Sequence, residues 1–155
     1  MYASTARYRF SQRFRVPTKK AFAWTVDFRP DDFARMGEKG SRKIRRISED
    51  TYLLIDTTYV KGKPVRKPKL INVYPDTLMY LNTHVGGPFK NSQFVYRFTP
   101  LGKDASRLDF AGHLVVYSPK PLSRGAIARI AEEERRGDSE IWRHLARAME
   151  RDFGR

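Results

Sequence analysis

The sequence contains no cysteine and only three histidines among its 155 residues. The first absence excludes disulfides, thiolate nucleophiles and Cys-ligated metals; the second leaves imidazoles too few and too scattered for a zinc set. No metal and no cofactor is expected. No apolar run approaches the roughly 20 residues of a membrane span, and Met1–Ala6 lacks a signal-peptide hydrophobic region, so the expected location is the cytoplasm. Gly86-Gly87 has neither the strand-to-helix context nor the Lys-Ser/Thr pair of a phosphate-binding loop. A Gly-x-Ser-x-Gly hydrolase elbow is missing as well. Acidic residues are scarce, 17 against 31 Lys and Arg, for a formal net charge of +14. Such a field attracts phosphates, anionic lipid surfaces and acidic proteins. The cations are nevertheless spread along the whole chain, which reads first as a solvated exterior.

What is present is strong alternation. From Arg7 to Val16, Tyr8, Phe10, Phe14 and Val16 alternate with Arg7, Arg9, Ser11, Arg13 and Arg15, the pattern of a strand with one buried face. Gln12 alone interrupts the inner row, and a polar residue there needs a partner or a wet cavity. Thr18 is placed to cap a helix over residues 19–26, and Pro30 with Asp31 and Asp32 opens a short second helix carrying Phe33 and Met36. Turn signals at about ten-residue spacing then divide six strand candidates, 42–47, 51–60, 65–74, 77–85, 93–99 and 107–117, into an antiparallel meander. From Pro121 the period becomes helical. Trp142, Leu145, Met149 and Phe153 form one stripe, while Gly137-Asp138 suggests a kink or two helices in line.

One strand, two short helices, six more strands and a long amphipathic helix make an α+β chain whose order resembles the START-like superfamily, also called SRPBCC or Bet v 1-like. Arg7–Val16, Thr18–Met36 and Asp138–Phe153 carry the resemblance, which spans nearly the whole chain as one domain, 1–155. It implies a helix-grip fold, a seven-stranded antiparallel curved sheet wrapped around the C-terminal helix. It also implies an apolar cavity between sheet and helix that holds a lipid, sterol, polyketide, aromatic or quinone.

Phe10, Phe14, Tyr96, Phe98, Leu108, Phe110 and Leu114 from the sheet and Trp142, Leu145 and Met149 from the helix are the expected lining, with Trp24 and Phe33 at the entrance. Gln12, Asp56, Asn72, Tyr80, Asn82, His84 and Tyr96 are the polar groups able to orient a ligand. Asp56 and His84 are the candidates for acid-base work; a carboxyl such as Asp56, if buried and unpaired, would have its pKa raised. His113 is expected outside beside Asp109, and His144 solvated on the helix. Lys61–Lys69 holds five cations and no acid. It reads as a turn and strand edge protected from pairing, or as a contact for nucleic acid or an anionic membrane. Three functions compete: a carrier of a small hydrophobic molecule, a polyketide cyclase or aromatase, and a binder of nucleic acid or anionic surfaces through the basic exterior.

Overall fold

The computed structural model describes residues 1–155. Strand β1 (Tyr2–Phe14) leads through Pro17 into helices α1 (Thr18–Val26) and α2 (Asp32–Arg35). Six strands follow: β2 (Gly40–Ser48), β3 (Thr51–Val60), β4 (Lys63–Tyr74), β5 (Met79–His84), β6 (Gln93–Pro100) and β7 (Ser106–Ser118). Helix α3 (Arg124–Asp152) closes the chain. All seven strands form one antiparallel sheet in the order β1-β7-β6-β5-β4-β3-β2. The order is a plain meander except that β1 closes on β7, from Tyr2 opposite Ser118 to Phe14 opposite Ser106.

Several boundaries differ from the sequence expectation. β1 starts five residues earlier because Tyr2–Ala6 finds a full partner in the end of β7. Thr18 does not cap α1; Pro17 occupies the cap position without a side-chain bond, and Thr18 is buried as the first helical residue. β5 begins at Met79 because Leu78 takes a left-handed conformation, φ 52°, that ends the preceding turn. α3 runs unbroken through Gly137 from its cap at Ser123, whose hydroxyl accepts from the Ala126 N–H at 3.1 Å. Asp138 caps nothing. Its side chain is committed to a bond across the molecule, described below.

The sheet's inner face takes the even positions of β1, β2, β3, β5, β6 and β7 and the odd positions of β4, and α3 lies against it. One buried cluster joins Phe14, Val16, Phe22, Leu54, Ile71, Val73, Tyr80, Phe98 and Leu108 to Trp142, Ala146 and Met149. A second holds Ala6, Tyr8, Phe94, Phe110 and Leu114. The end of β7, apolar on both faces, runs past the end of β6, and the β5–β6 loop fills in: Ser92 Oγ accepts from the Val115 N–H, and Asn91 Nδ2 donates to Tyr117 Oη.

Candidate functional site

The space between sheet and α3 contains two adjoining cavities of about 140 and 330 Å³. Met36, Lys69, Asn82, Tyr96, Asp138 and Ile141 line both, so they meet along a shared wall. The smaller has Trp24, Phe28, Tyr80, Trp142 and Leu145 for walls. The larger opens among Tyr8, Asp56, Lys67, His84, Phe89, Phe94, Leu114 and Glu134.

Of the residues expected to line a cavity, Trp24, Asn82, Tyr96, Leu114, Trp142 and Leu145 do so, as do Asp56 and His84. Phe10, Gln12, Phe14, Phe98, Leu108, Phe110 and Met149 do not. The six strand residues share the inner rows but lie where α3 and α1 come down on the sheet, Met149 closes on them from α3, and aromatic contacts take up the space. Phe14 stacks against Phe98 with ring centroids 6.0 Å apart and meets Trp142 edge-on, and Phe10 stacks on Phe110 at 4.5 Å. Gln12 is half-buried and donates to its neighbour's carbonyl, that of Arg13. Phe33 is buried under Gly40, where an added Cβ would sit 2.5 Å from its ring, and borders the larger cavity.

Asn72 falls on the outer face, because the inner row of β4 is Lys67, Lys69, Ile71 and Val73. That row also corrects the reading of the basic segment. Beyond the turn at Lys61 and Gly62, the strand pairs with β3 along its length but with β5 only from Lys69 onward, and two of the segment's cations, Lys67 and Lys69, point inward. His113 is exposed as expected, but Asp109 pairs with Arg107 at 3.0 Å and Thr99 instead. His144 is half-buried, its ring against Gly37 and its Nε2 3.5 Å from Glu140.

Asp56 is fully buried yet far from unpaired. Arg42, opposite it in the β2–β3 register, donates from Nε and Nη2 to Asp56 Oδ1 and Oδ2 at 2.8 and 2.9 Å. Lys69 Nζ lies 2.8 Å from Oδ2, and Arg42 Nη1 donates to Asp32 at 2.6 Å. Burial alone would raise the Asp56 carboxyl; the two cations reverse this and hold it below the usual carboxylate range. The result is a buried Asp32–Arg42–Asp56–Lys69 chain of alternating charge along one wall.

Across the cavity, Tyr8 Oη donates to Asp138 Oδ2 at 2.6 Å. Gly112 makes that contact possible: it faces Tyr8 on the neighbouring strand, and a Cβ there would lie 2.7 Å from the ring. Burial raises the carboxyls of Asp138 and Glu134 above their ordinary values. His84 is held neutral, its pKa brought down to about 3 by burial and then by the charges of Lys69 and Lys67. Its Nδ1 and the Oδ1 of Asn82 are buried without a hydrogen-bond partner. Unsatisfied buried polar atoms are costly, so two such atoms on one cavity wall mark where a bound molecule gains most.

Sequence reasoning did not assign Arg42, Lys67, Lys69, Glu134 or Asp138 to the site. Alternation carries the signal for the lysines: Lys67 and Lys69 share parity with Ile71 and Val73. Asp138 and Glu134 continue the Trp142 stripe toward the N-terminus at helical spacing.

No family model and no curated protein matches the sequence. Solved structures do. The Zhui aromatase/cyclase from a Streptomyces species aligns with TM-score 0.80 and 10% identity over 96% of this chain and 95% of that one. Ara h 8.0201 aligns with TM-score 0.71 and 15% identity over 94% and 98%. A START superfamily protein from Mycobacterium smegmatis gives 0.67 and 16% over 94% of each chain. The chain thus has the START-like, Bet v 1-like helix-grip fold expected from its element order. No helix is long and apolar enough to cross a membrane.

Proposed function

We propose that this chain binds a small, largely apolar molecule between the sheet and α3, its hydrocarbon or aromatic body in the smaller cavity and an oxygen-bearing end in the larger. The observation that carries this reading is the shared wall. Tyr96 and Ile141 offer apolar surface to both cavities, while Asn82, with its unpartnered Oδ1, stands beside them. The larger cavity alone is within the roughly 300–1,000 Å³ range of small-molecule sites. An apolar body gains by burial, and a hydroxyl or carbonyl can answer Asn82 and His84. The fold shared with a START superfamily protein supports the same reading.

Cyclase- or aromatase-like turnover is the second reading, favoured by one observation. The unpartnered Nδ1 of neutral His84 and the Tyr8–Asp138 pair face the same cavity, so polar groups able to hold and fold one substrate border one space. The fold of the Zhui aromatase/cyclase is in keeping with it.

The test is to purify the protein at high salt and compare native and denatured masses. A released small molecule of mainly apolar character is the expected result. A protein that carries nothing and shows no saturable binding of aromatic or acyl compounds would sink the proposal.

A further inference from the structure

We propose that Lys67 is a nucleophilic amine that captures an aldehyde or ketone as an imine in the larger cavity. This rests on the binding reading above, because the carbonyl compound must first enter that space.

The two lysines on the inner row of β4 are held differently. Lys69 belongs to the ionic chain through Asp56. Lys67, two residues away on the same face, forms no ion pair; its Nζ lies 5.5 Å from the centroid of the Phe89 ring on the cavity wall. An ammonium there loses hydration and faces a second fixed cation. Burial first, and the charge of Lys69 second, lower its pKa from the ordinary lysine value. Desolvation and a neighbouring cation are the two conditions that turn a lysine into a carbonyl nucleophile. The other lysines outside the ionic chain stand on the charged exterior, away from the cavity.

The acid that the reaction needs is also present. Glu134 of α3 lines the same cavity, and burial, reinforced by Asp138, holds its carboxyl above the usual range. Asp138 is already engaged as the acceptor of the Tyr8 hydroxyl. In the reaction, the lone pair of the unprotonated Lys67 Nζ forms a bond to the carbonyl carbon. The carbonyl oxygen takes up a proton as the nitrogen gives one up, yielding a carbinolamine. Glu134 then protonates that hydroxyl, which departs as water while the C=N bond forms. The resulting protonated imine returns its proton to the Glu134 carboxylate. Amine and carbonyl become imine and water, with no oxidant or reductant.

The test uses 2-naphthaldehyde with sodium cyanoborohydride near neutral pH, read by intact mass and peptide mapping. Binding of 2-naphthalenemethanol, which has the same ring system and cannot form an imine, is measured beside it by calorimetry. The expected result is one reduced adduct per chain, mapped to Lys67, and saturable binding of the alcohol. Lys67→Arg keeps the positive charge without an attackable amine and should lose the adduct. Mapping on the unaltered chain carries the result even if that variant does not fold. Alcohol binding with no adduct, or with adducts scattered over exposed lysines, overturns the imine and leaves the binding reading standing. If neither compound binds, both readings fall.

Discussion

The two ends of the grip are built from the same elements and differ in what their inner rows carry. Toward the C-terminus of α3, Met149, Ala146 and Trp142 meet Phe14, Phe98 and Leu108, and the space is filled. Toward its middle, Asp138 and Glu134 face Lys67, Asp56 and His84 around the larger cavity. Single strands cross the divide: β3 goes from Leu54 to Asp56, β4 from Val73 and Ile71 to Lys69 and Lys67, and β5 from Tyr80 to Asn82 and His84. Hydrocarbon gains by closing on itself. Charges and amides do not, because each must keep a partner as water leaves. At one end the rings close into a core, at the other lies a lined space, and the smaller cavity, bordered by Trp142, Leu54, Ile71 and Tyr80, stands between them.

The largest effect should come from breaking the closed end. Trp142→Ala or Phe98→Ala removes a ring that several others pack against, and should cost about 3 to 5 kcal/mol in urea unfolding. Ligand binding should fail with it for Trp142, which also lines the smaller cavity. Breaking the ionic wall comes next. Arg42→Met leaves Asp56 buried with Lys69 alone and Asp32 without its guanidinium partner, a loss of about 3 kcal/mol by the same measurement. If the variant is as stable as the parent, the chain of charges contributes nothing to the fold.

Gly112→Ala probes the contact that ties the sheet to α3. The added methyl displaces the Tyr8 ring and with it the bond to Asp138, at a cost of roughly 1 to 3 kcal/mol. An unchanged melting temperature would show that the ring has room to move.

The open end should also reveal itself through pH. The folded-state pKa of His84, about 3, lies below its ordinary 6.5. Between those values the unfolded chain binds a proton that the folded one refuses, so stability falls as pH drops from 6.5. The contribution is up to about 1.4 kcal/mol for each pH unit. Raised carboxyls at Asp138 and Glu134 act in the opposite sense at the acid end, so the quantity to measure is the difference between the parent and His84→Asn. The two stability curves should converge with falling pH; parallel curves would mean that His84 takes up a proton in the folded state.

The smallest effect belongs to neither end. Arg9→Glu with Arg13→Glu alters exposed residues on the outer face and should change stability by about 0.5 kcal/mol or less. Ligand binding should be unaffected; its loss on charge reversal would count against a site between sheet and helix.

Much of the fold was legible in the chain because alternation and helical spacing are local. Tyr8, Phe10 and Phe14 against Arg7, Arg9 and Arg13 state which face of β1 is buried whatever lies beneath. The site was legible only in part. Parity puts Asp56, Asn82 and His84 inside, but it treats them and Phe110 alike as inner-row residues. It cannot say which are covered by α3 and which border a void. Lys67 and Lys69 read as part of a basic turn and strand edge because five cations in nine residues draw attention to the exterior, although their parity matches Ile71. The unbroken path of α3 through Gly137 had no local signature at all.

By itself, the sequence determined the order of elements, the buried faces of β1, β6 and β7 and the absence of thiol chemistry, since these depend on residue type and near neighbours. Only the tertiary structure decided that Arg42 neutralises Asp56, that Tyr8 reaches Asp138 across the molecule, and that Lys67 faces a cavity without an ion pair. Those contacts join residues as many as 130 positions apart. They follow from how far the sheet curves around the helix, which no local pattern encodes.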